Sequence, residues 1–302
     1  MSACPVCEGS SSPLGVHGRF ELRRCIACHH SFTAEQPTPD ELSKVYERYV
    51  YDERDLDAVP PFILTILGDV VASFEKHRVT GRLLDVGFGQ GALLAVAQKR
   101  GWQTYGIEAS HAAVEQGIKH GVGELAVGDF LDAPWEDGNF DVIVMTELIE
   151  HLTSPRQFLE KARALLRKGG VLYLTTPHGY GLSGRLIGGE WSVLGPPEHL
   201  QLYSVDSMKH VLREAGFVDA QVYTQGVLPH EIVQHVRERA RTLMTRSERA
   251  TSPRANPERT ADAYTVNAAL SQRRAGQIVK TVANRIMRWT SLGDGIRAYA
   301  VR

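Results

Sequence analysis

The stretch from Arg82 to Leu94, RLLDVGFGQGALL, constrains the fold more than any other. Leu83, Leu84 and Val86 read as a short buried strand. Gly87, Gly89 and Gly91 then alternate with Phe88 and Gln90, and from Ala92 the pattern turns helical. A strand that breaks on closely spaced glycines and runs into a helix leaves bare backbone at the carboxyl end of a parallel sheet. Open α/β sheets bind their ligands there. A side chain at these positions would block close approach and resist positive φ angles. The order is not G-x-G-x-x-G, because Ala92 and Leu93 follow Gly91.

Acids recur at the ends of the following strands. Asp85 lies on the first strand itself. The next apolar segment, Trp102 to Ile107, ends in Glu108, where a carboxylate can accept from both hydroxyls of a ribose. After a third strand come Gly128, Asp129 and Phe130; such an acid can accept from an adenine amino group and such a ring can stack on the base. Phe140 to Met145 is a fourth buried strand, followed by Thr146. Strands are expected near 82–87, 102–108, 123–128, 139–146, 170–176 and 217–224. Helices are expected near 91–100, 110–120, 155–168 and 204–215, with Lys168-Gly169-Gly170 as a helix stop. The alternation predicts a mostly parallel sheet with helices on both faces.

In this order and spacing, Asp85, the three glycines, Glu108, Asp129-Phe130, FDVIVMTELIEHL and LLRKGGVLYLTTP resemble class I S-adenosyl-L-methionine-dependent methyltransferases, over roughly Thr80 to Tyr223. The resemblance implies a Rossmann-like, seven-stranded α/β sheet whose last strand, within 291–302, is antiparallel and slots between the fifth and sixth. It implies S-adenosyl-L-methionine as cofactor, with Asp85, Gly87, Gly89, Gly91, Glu108, Asp129, Phe130 and Thr146 as the residues that hold it.

All four cysteines precede this core, as Cys4 and Cys7 in CPVC and Cys25 and Cys28 in CIAC. Two C-x-x-C pairs offer four thiolates, which close a tetrahedral zinc shell and make the site structural. His29 and His30 follow; either can replace a cysteine ligand, and the plainer expectation is that both are exposed. So small a segment has too little apolar area to fold without a staple. The expected organisation is a zinc ribbon at 1–35, a helical cap or linker at 36–78, the cofactor-binding core at 79–228, a basic helical insertion at 229–290 and the last core strand at 291–302. In the cap, Thr38 or Asp40 caps a helix carrying Leu42, Val45, Tyr46 and Tyr49 on one face. Residues 60–77 form a second helix.

Methyl transfer to a hydroxyl needs a base behind an in-line displacement. Glu147, Glu150 and His151 follow the fourth strand at i, i+3 and i+4, so one helical turn would put them on a shared face. His199 sits in the loop after the fifth strand, in Gly195-Pro-Pro-Glu-His. The catalytic candidates are His199, His151 and Glu147. Three readings stay open: a histidine base; a second divalent metal on Glu147, Glu150, His151 and His199, since E-x-x-E-H is similar to the metal site of ubiquinone-pathway O-methyltransferases and small-RNA 3′-end methyltransferases; or a role in which Glu147 only touches the cofactor and His151 orders the strand–helix turn.

A cysteine ribbon joined to this core and a P-x-E-H loop resembles bacterial methyltransferases of sugar-nucleotide and surface-glycan pathways. These include zinc-ribbon deoxysugar C-methyltransferases, whose longer C-terminal domain this sequence does not match, so the expected acceptor is a hydroxyl of a saccharide, a glycan precursor or a similar small molecule. The alternative is an rRNA base methyltransferase with a zinc-ribbon RNA-binding region; the stretch after the fourth strand lacks the N/D-P-P-[FY] tetrapeptide of many amino-directed enzymes. A net charge of −1 over 302 residues exerts no global pull toward nucleic acid. No stretch has the length of a spanning helix and no secretory signal opens the chain, so the expected compartment is the cytoplasm. The arginines of 229–290, Arg237, Arg239 and Arg241 among them, leave peripheral membrane contact open, with Ile278, Val282, Ile286 and Trp289 as one apolar helix face.

Overall fold

The segment FDVIVMT is buried along its whole length from Phe140 to Met145, as a strand covered on both faces must be. In the structure, a computed structural model that describes residues 2–48, 59–227, 229–244, 287 and 290–302, this segment is β7, in the middle of a seven-stranded sheet. The strand order is β10-β11-β8-β7-β4-β5-β6. These are β4 (Arg82–Val86), β5 (Gln103–Glu108), β6 (Glu124–Val127), β7 (Phe140–Thr146), β8 (Leu166–Pro177), β10 (Asp219–Gln225) and β11 (Gly295–Val301). β4, β5, β6, β7 and β8 pair in parallel, and β11 runs antiparallel between β8 and β10. This is the Rossmann-like sheet expected, last strand included.

The chain divides into two compact units. One comprises Pro37–Thr176, Met208–Val222 and Arg297–Arg302 and holds most of this sheet. Its core joins Leu83, Val142, Val144, Val171 and Tyr173 from the strands to Val70, Val71 and Phe74 of α2 (Pro61–Phe74) and Leu93, Leu94 and Ala97 of α3 (Ala92–Lys99). α1 (Pro39–Arg48) begins on a reciprocal cap: Thr38 Oγ1 accepts from the Glu41 amide, and the Glu41 carboxylate accepts from the Thr38 amide. Ser110 caps α4 (His111–Lys119) in the same way as a lone acceptor. Tyr49 lies outside the described residues, as does Tyr51.

One boundary differs from the sequence expectation. α5 (Pro155–Leu165) stops three residues early, and Arg167 to Gly170 belong to β8, not to a helix end. The cause is Asp141, which is fully buried. It accepts from the amides of Val79 and Gly81 at 2.8 and 2.7 Å and from the Arg167 guanidinium, which also donates to the His77 carbonyl. Those bonds hold Arg167 extended.

The other unit comprises Met1–Gln36, Pro177–Ser207 and Tyr223–Ile296. Its antiparallel sheet has the order β1 (Ser11–His17), β2 (Phe20–Cys25), β3 (Ser31–Thr33), β9 (Gln201–Leu202). Ser31 pairs with Leu202 and Phe32 with Gln201, so the last strand comes from far along the chain. Leu22, Ile187, Trp191, Leu194 and Leu202 form its core. Arg24 ties it together, donating at 3.0 Å to the carbonyls of Gly179 and of Gly184 in α6 (Leu182–Leu186). α7 (Val205–Glu214) follows, and α8 (Pro229–Met244) opens the basic segment. The rest of that segment lies outside the described residues, apart from Met287 and Thr290, and with it Ile278, Val282, Ile286 and Trp289.

Candidate functional site

The glycine turn has the backbone its sequence requires. Gly87, Gly89 and Gly91 have φ angles of +71°, +54° and +73°, in the region where a side chain is strained. A Cβ on Gly91 would stand 3.0 Å from Val122 Cγ2. Phe88, between them, turns inward: it is buried beneath β5 and α4, where a Cβ on Gly106 would meet it at 2.6 Å.

Two carboxylates flank the turn. Glu108, at the end of β5, accepts from the Gly89 amide at 3.1 Å through Oε2, and from the amides of Ala109 and Ser110 at 2.9 and 3.3 Å through Oε1. Three main-chain donors fix its orientation, and Oε2 keeps acceptor capacity for a further donor. Asp85 is 2% exposed, and its Oδ1 has no hydrogen-bond partner. Burial, with a further contribution from the Glu108 charge, pushes its carboxyl up to about 8. A buried acid with an unused oxygen beside a turn of bare backbone suits a ligand that brings a cation and needs close approach.

Asp129 is exposed, and its Oδ1 caps a short turn by accepting from the Leu131 amide at 2.9 Å. Phe130 departs from expectation. Its ring is 2% exposed and packs against Phe158, centroids 5.5 Å apart. Burial among core side chains leaves it no face to stack on an adenine. Thr146 ends β7 half-buried.

Glu147, Glu150 and His151 are not arranged as one α-helical turn. Glu147 sits exposed on a left-handed corner, φ +48°, its amide bonded to the Thr175 carbonyl at 2.9 Å. Ile149–His151 is a 3₁₀ turn. Glu150 is fully buried and accepts from Thr176 Oγ1 at 2.9 Å. Its other oxygen has no hydrogen-bond donor and stands 3.9 Å from His151 Nε2. Burial and the neighbouring Glu147 charge push the Glu150 carboxyl up to about 8. His199 belongs to the other unit, where Nδ1 donates to the Val193 carbonyl. That bond fixes the tautomer and makes Nε2 the basic nitrogen.

The four cysteines converge. Sulfur–sulfur distances are 3.7 Å for Cys4–Cys28, 3.5 Å for Cys7–Cys25 and 3.4 Å for Cys7–Cys28, and all four sulfurs lie within 4.8 Å of one another. Tetrahedral zinc with sulfur at about 2.3 Å sets ligands about 3.8 Å apart, whereas a disulfide needs about 2.05 Å. The Val6 and Cys28 amides point at the sulfurs of Cys4 and Cys25, both at 3.4 Å. The donor set fits zinc. The histidines that follow are not exposed. His30 is fully buried between Phe32 and Tyr203, and His29 stacks on Tyr180 with centroids 3.9 Å apart. Burial drives His30 down to about 3, so its ring is neutral.

Comparison with known proteins agrees with this geometry. Residues 61–222 match the family described as a methyltransferase domain. Among curated proteins, the chain is 24% identical over 159 residues to a ubiquinone biosynthesis O-methyltransferase of Bordetella avium, covering 50% of this chain and 64% of that protein. It is 34% identical over 106 residues to the protein of the same name from Histophilus somni, covering 32% and 44%. The chain thus spans less than two thirds of the length of these relatives. Among solved structures, a SAM-dependent methyltransferase from Archaeoglobus fulgidus superposes with a TM-score of 0.51 at 13% identity, covering 86% of this chain and 99% of that one. The phosphoethanolamine N-methyltransferase 2 of Haemonchus contortus, solved with S-adenosylhomocysteine, gives 0.53 at 18% identity, covering 86% and 60%. At these identities the structural likeness concerns the fold.

Proposed function

This chain belongs to the methyltransferase domain family, and on that premise we propose that it is an S-adenosyl-L-methionine-dependent methyltransferase acting on a hydroxyl of a small molecule. The observation that carries the proposal is Asp85, buried with an unused oxygen beside three left-handed glycines. When bound, the cofactor supplies a methyl group activated on a sulfonium. Asp85 answers positive charge on the ligand. Gly87, Gly89 and Gly91 admit it against the backbone. Glu108 takes ribose hydroxyls with its remaining acceptor capacity, Asp129 faces the adenine, and Thr146 lines the crevice.

An oxygen acceptor is supported by the names of the curated relatives, which are O-methyltransferases. A saccharide or glycan hydroxyl is the specific form we propose, on the pairing of a cysteine ribbon with this core. His199 is the proposed base; its Nδ1 donates to the Val193 carbonyl, which fixes the tautomer of the ring. His151 and Glu147 are the other candidates. A second reading, a divalent metal on Glu147, Glu150, His151 and His199, draws support from the Glu150 oxygen that lacks a donor. Zinc on the four cysteines is proposed as structural, in a cytoplasmic protein whose thiols stay unbridged. No helix among the described residues is long and apolar enough to cross a membrane. Exposed Val233 and Val236 beside Arg237 and Arg239 on α8 suit a peripheral contact.

Calorimetric titration with S-adenosylhomocysteine tests the reading. Wild-type protein binds, and Gly89→Trp, which fills the turn, abolishes binding while leaving the bound zinc in place. Binding of NAD in place of the nucleoside, or unchanged binding by the tryptophan variant, refutes it.

A further inference from the structure

β11 carries a positive charge that pairs with no described carboxylate. Its register on β8 follows from three bonds: Arg302 N to Gly170 O at 2.9 Å, Gly169 N to Arg302 O at 3.1 Å, and His178 N to Asp294 O at 2.7 Å. That register sets Arg297 opposite Thr175 and Tyr299 opposite Tyr173, whose rings touch with centroids 5.0 Å apart. Thr175 in turn pairs with Thr146, Tyr173 with Val144, and Val144 with Asp85. Residues paired across a sheet share a face. Arg297 therefore rises from the same face as Asp85, one row nearer the carboxyl ends of the parallel strands, level with Thr175 and Thr146.

Arginine is an unexpected residue at this place. β11 is an interior strand, and the side chains on its opposite face, Ile296, Ala298 and Ala300, are all buried. The Arg297 side chain is half-buried; its Cζ lies 5.8 Å from the centre of the Tyr173 ring, and its Nε is buried without a hydrogen-bond partner. It forms no ion pair with any described carboxylate. A guanidinium stays charged at every physiological pH. A charge held over an aromatic ring with a donor unused is a site prepared for an anion, since its planar fork matches carboxylate and phosphate oxygens.

We propose that Arg297 is the specificity anchor of the methyl acceptor, binding a carboxylate or phosphate group that the acceptor carries away from the atom to be methylated. This rests on the methyltransferase reading above. Three strand spacings, about 14 Å, separate Arg297 from the glycine turn. One six-membered ring with its substituents, together with the arginine's own reach, bridges such a span. The acceptor class is thus an organic anion, such as a hydroxylated aromatic acid or a sugar phosphate, rather than a neutral molecule.

The test uses protein saturated with S-adenosylhomocysteine, titrated with 4-hydroxybenzoate and with its uncharged analogue 4-hydroxybenzamide. Wild type binds the benzoate more tightly by about fivefold or more. Arg297→Met, which keeps the apolar stem and removes the charge, brings the ratio to about one. Arg297→Lys, which keeps charge without the fork, retains an intermediate ratio and carries the test alone should the methionine variant not fold. Affinity for S-adenosylhomocysteine is unchanged in both. A wild-type ratio near one, or a ratio that survives Arg297→Met, overturns the proposal. So does a variant that loses S-adenosylhomocysteine, because the anion would then be the cofactor's own carboxylate. Wild type that fails to bind S-adenosylhomocysteine at all defeats the functional reading instead, and the anchor with it.

Discussion

The Gly89 amide donates a 3.1 Å hydrogen bond to Oε2 of Glu108, so the glycine turn after β4 and the acid after β5 are one device. The turn shapes the cradle and the acid locks the turn. Glu108→Gln turns one accepting oxygen into a donor and sets it against main-chain amides. Affinity for S-adenosylhomocysteine is expected to fall by roughly 1–3 kcal/mol through lost hydrogen bonds. Calorimetry checks this, and an unchanged dissociation constant removes Glu108 from the site.

Asp85 makes the protein sensitive to alkali. Its carboxyl is raised to about 8 in the folded state, against a usual value of 3.8. Between those values the folded chain holds a proton that the unfolded chain has released, so stability falls as pH rises through that window, by up to about 1.4 kcal/mol per pH unit. Glu150 titrates over the same range. Asp85→Asn is therefore expected to flatten the decline of Tm between pH 5 and 8 by about half. A cation bound beside Asp85 favours its ionised form. Cofactor binding should release a proton and strengthen from pH 6 to 8, which titration in buffers of different ionisation enthalpy will reveal. Affinity independent of pH counts against Asp85 as the cation's partner.

Asp141 has the opposite behaviour. Burial alone would raise its carboxyl, but the bonds from Arg167, Val79 and Gly81 more than reverse this and hold it below the usual range. Its contribution is present above pH 4 or so and is lost as acid protonates it. Asp141→Ala leaves two amides and a guanidinium unanswered. The expected loss is about 3–5 kcal/mol, read as a shift in the urea midpoint with no change in slope. A variant within 1 kcal/mol of wild type would show that these bonds are replaced by water.

Zinc should be needed by the cysteine unit before it is needed by the crevice. Cys4→Ser is expected to lower bound zinc and to speed proteolysis within residues 1–36, with S-adenosylhomocysteine affinity retained. Atomic absorption and mapped proteolysis report on each separately. Full metallation of the serine variant excludes Cys4 as a ligand.

The legible parts of the chain were those set by local rules. Alternating strands and helices, the three glycines and the capping residue Thr38 each carry their reason within a few neighbours, and the four cysteines announce themselves by spacing. Long-range partners were not legible. Phe130 looks like a stacking ring until Phe158 is seen to cover it. Lys168-Gly169-Gly170 reads as a helix stop until Asp141 is found holding Arg167 in β8. His30 follows a cysteine like an exposed histidine, yet Tyr203, far off in sequence, buries it. Arg297 had a faint signal: a charged residue among small apolar ones on a strand of seven residues, Gly295–Val301.

The pairing of Ser31 with Leu202 sets a timetable for synthesis. The first three strands of the small sheet leave the ribosome early, while the fourth is separated from them by the length of a whole domain. Chain closure over so long a separation is slow, and exposed strand edges are open to wrong partners meanwhile. Four sulfurs within the first thirty residues give the nascent chain something to hold before β9 exists. Metal capture during translation would keep the edge of β3 in order until Gln201 and Leu202 arrive to cover it.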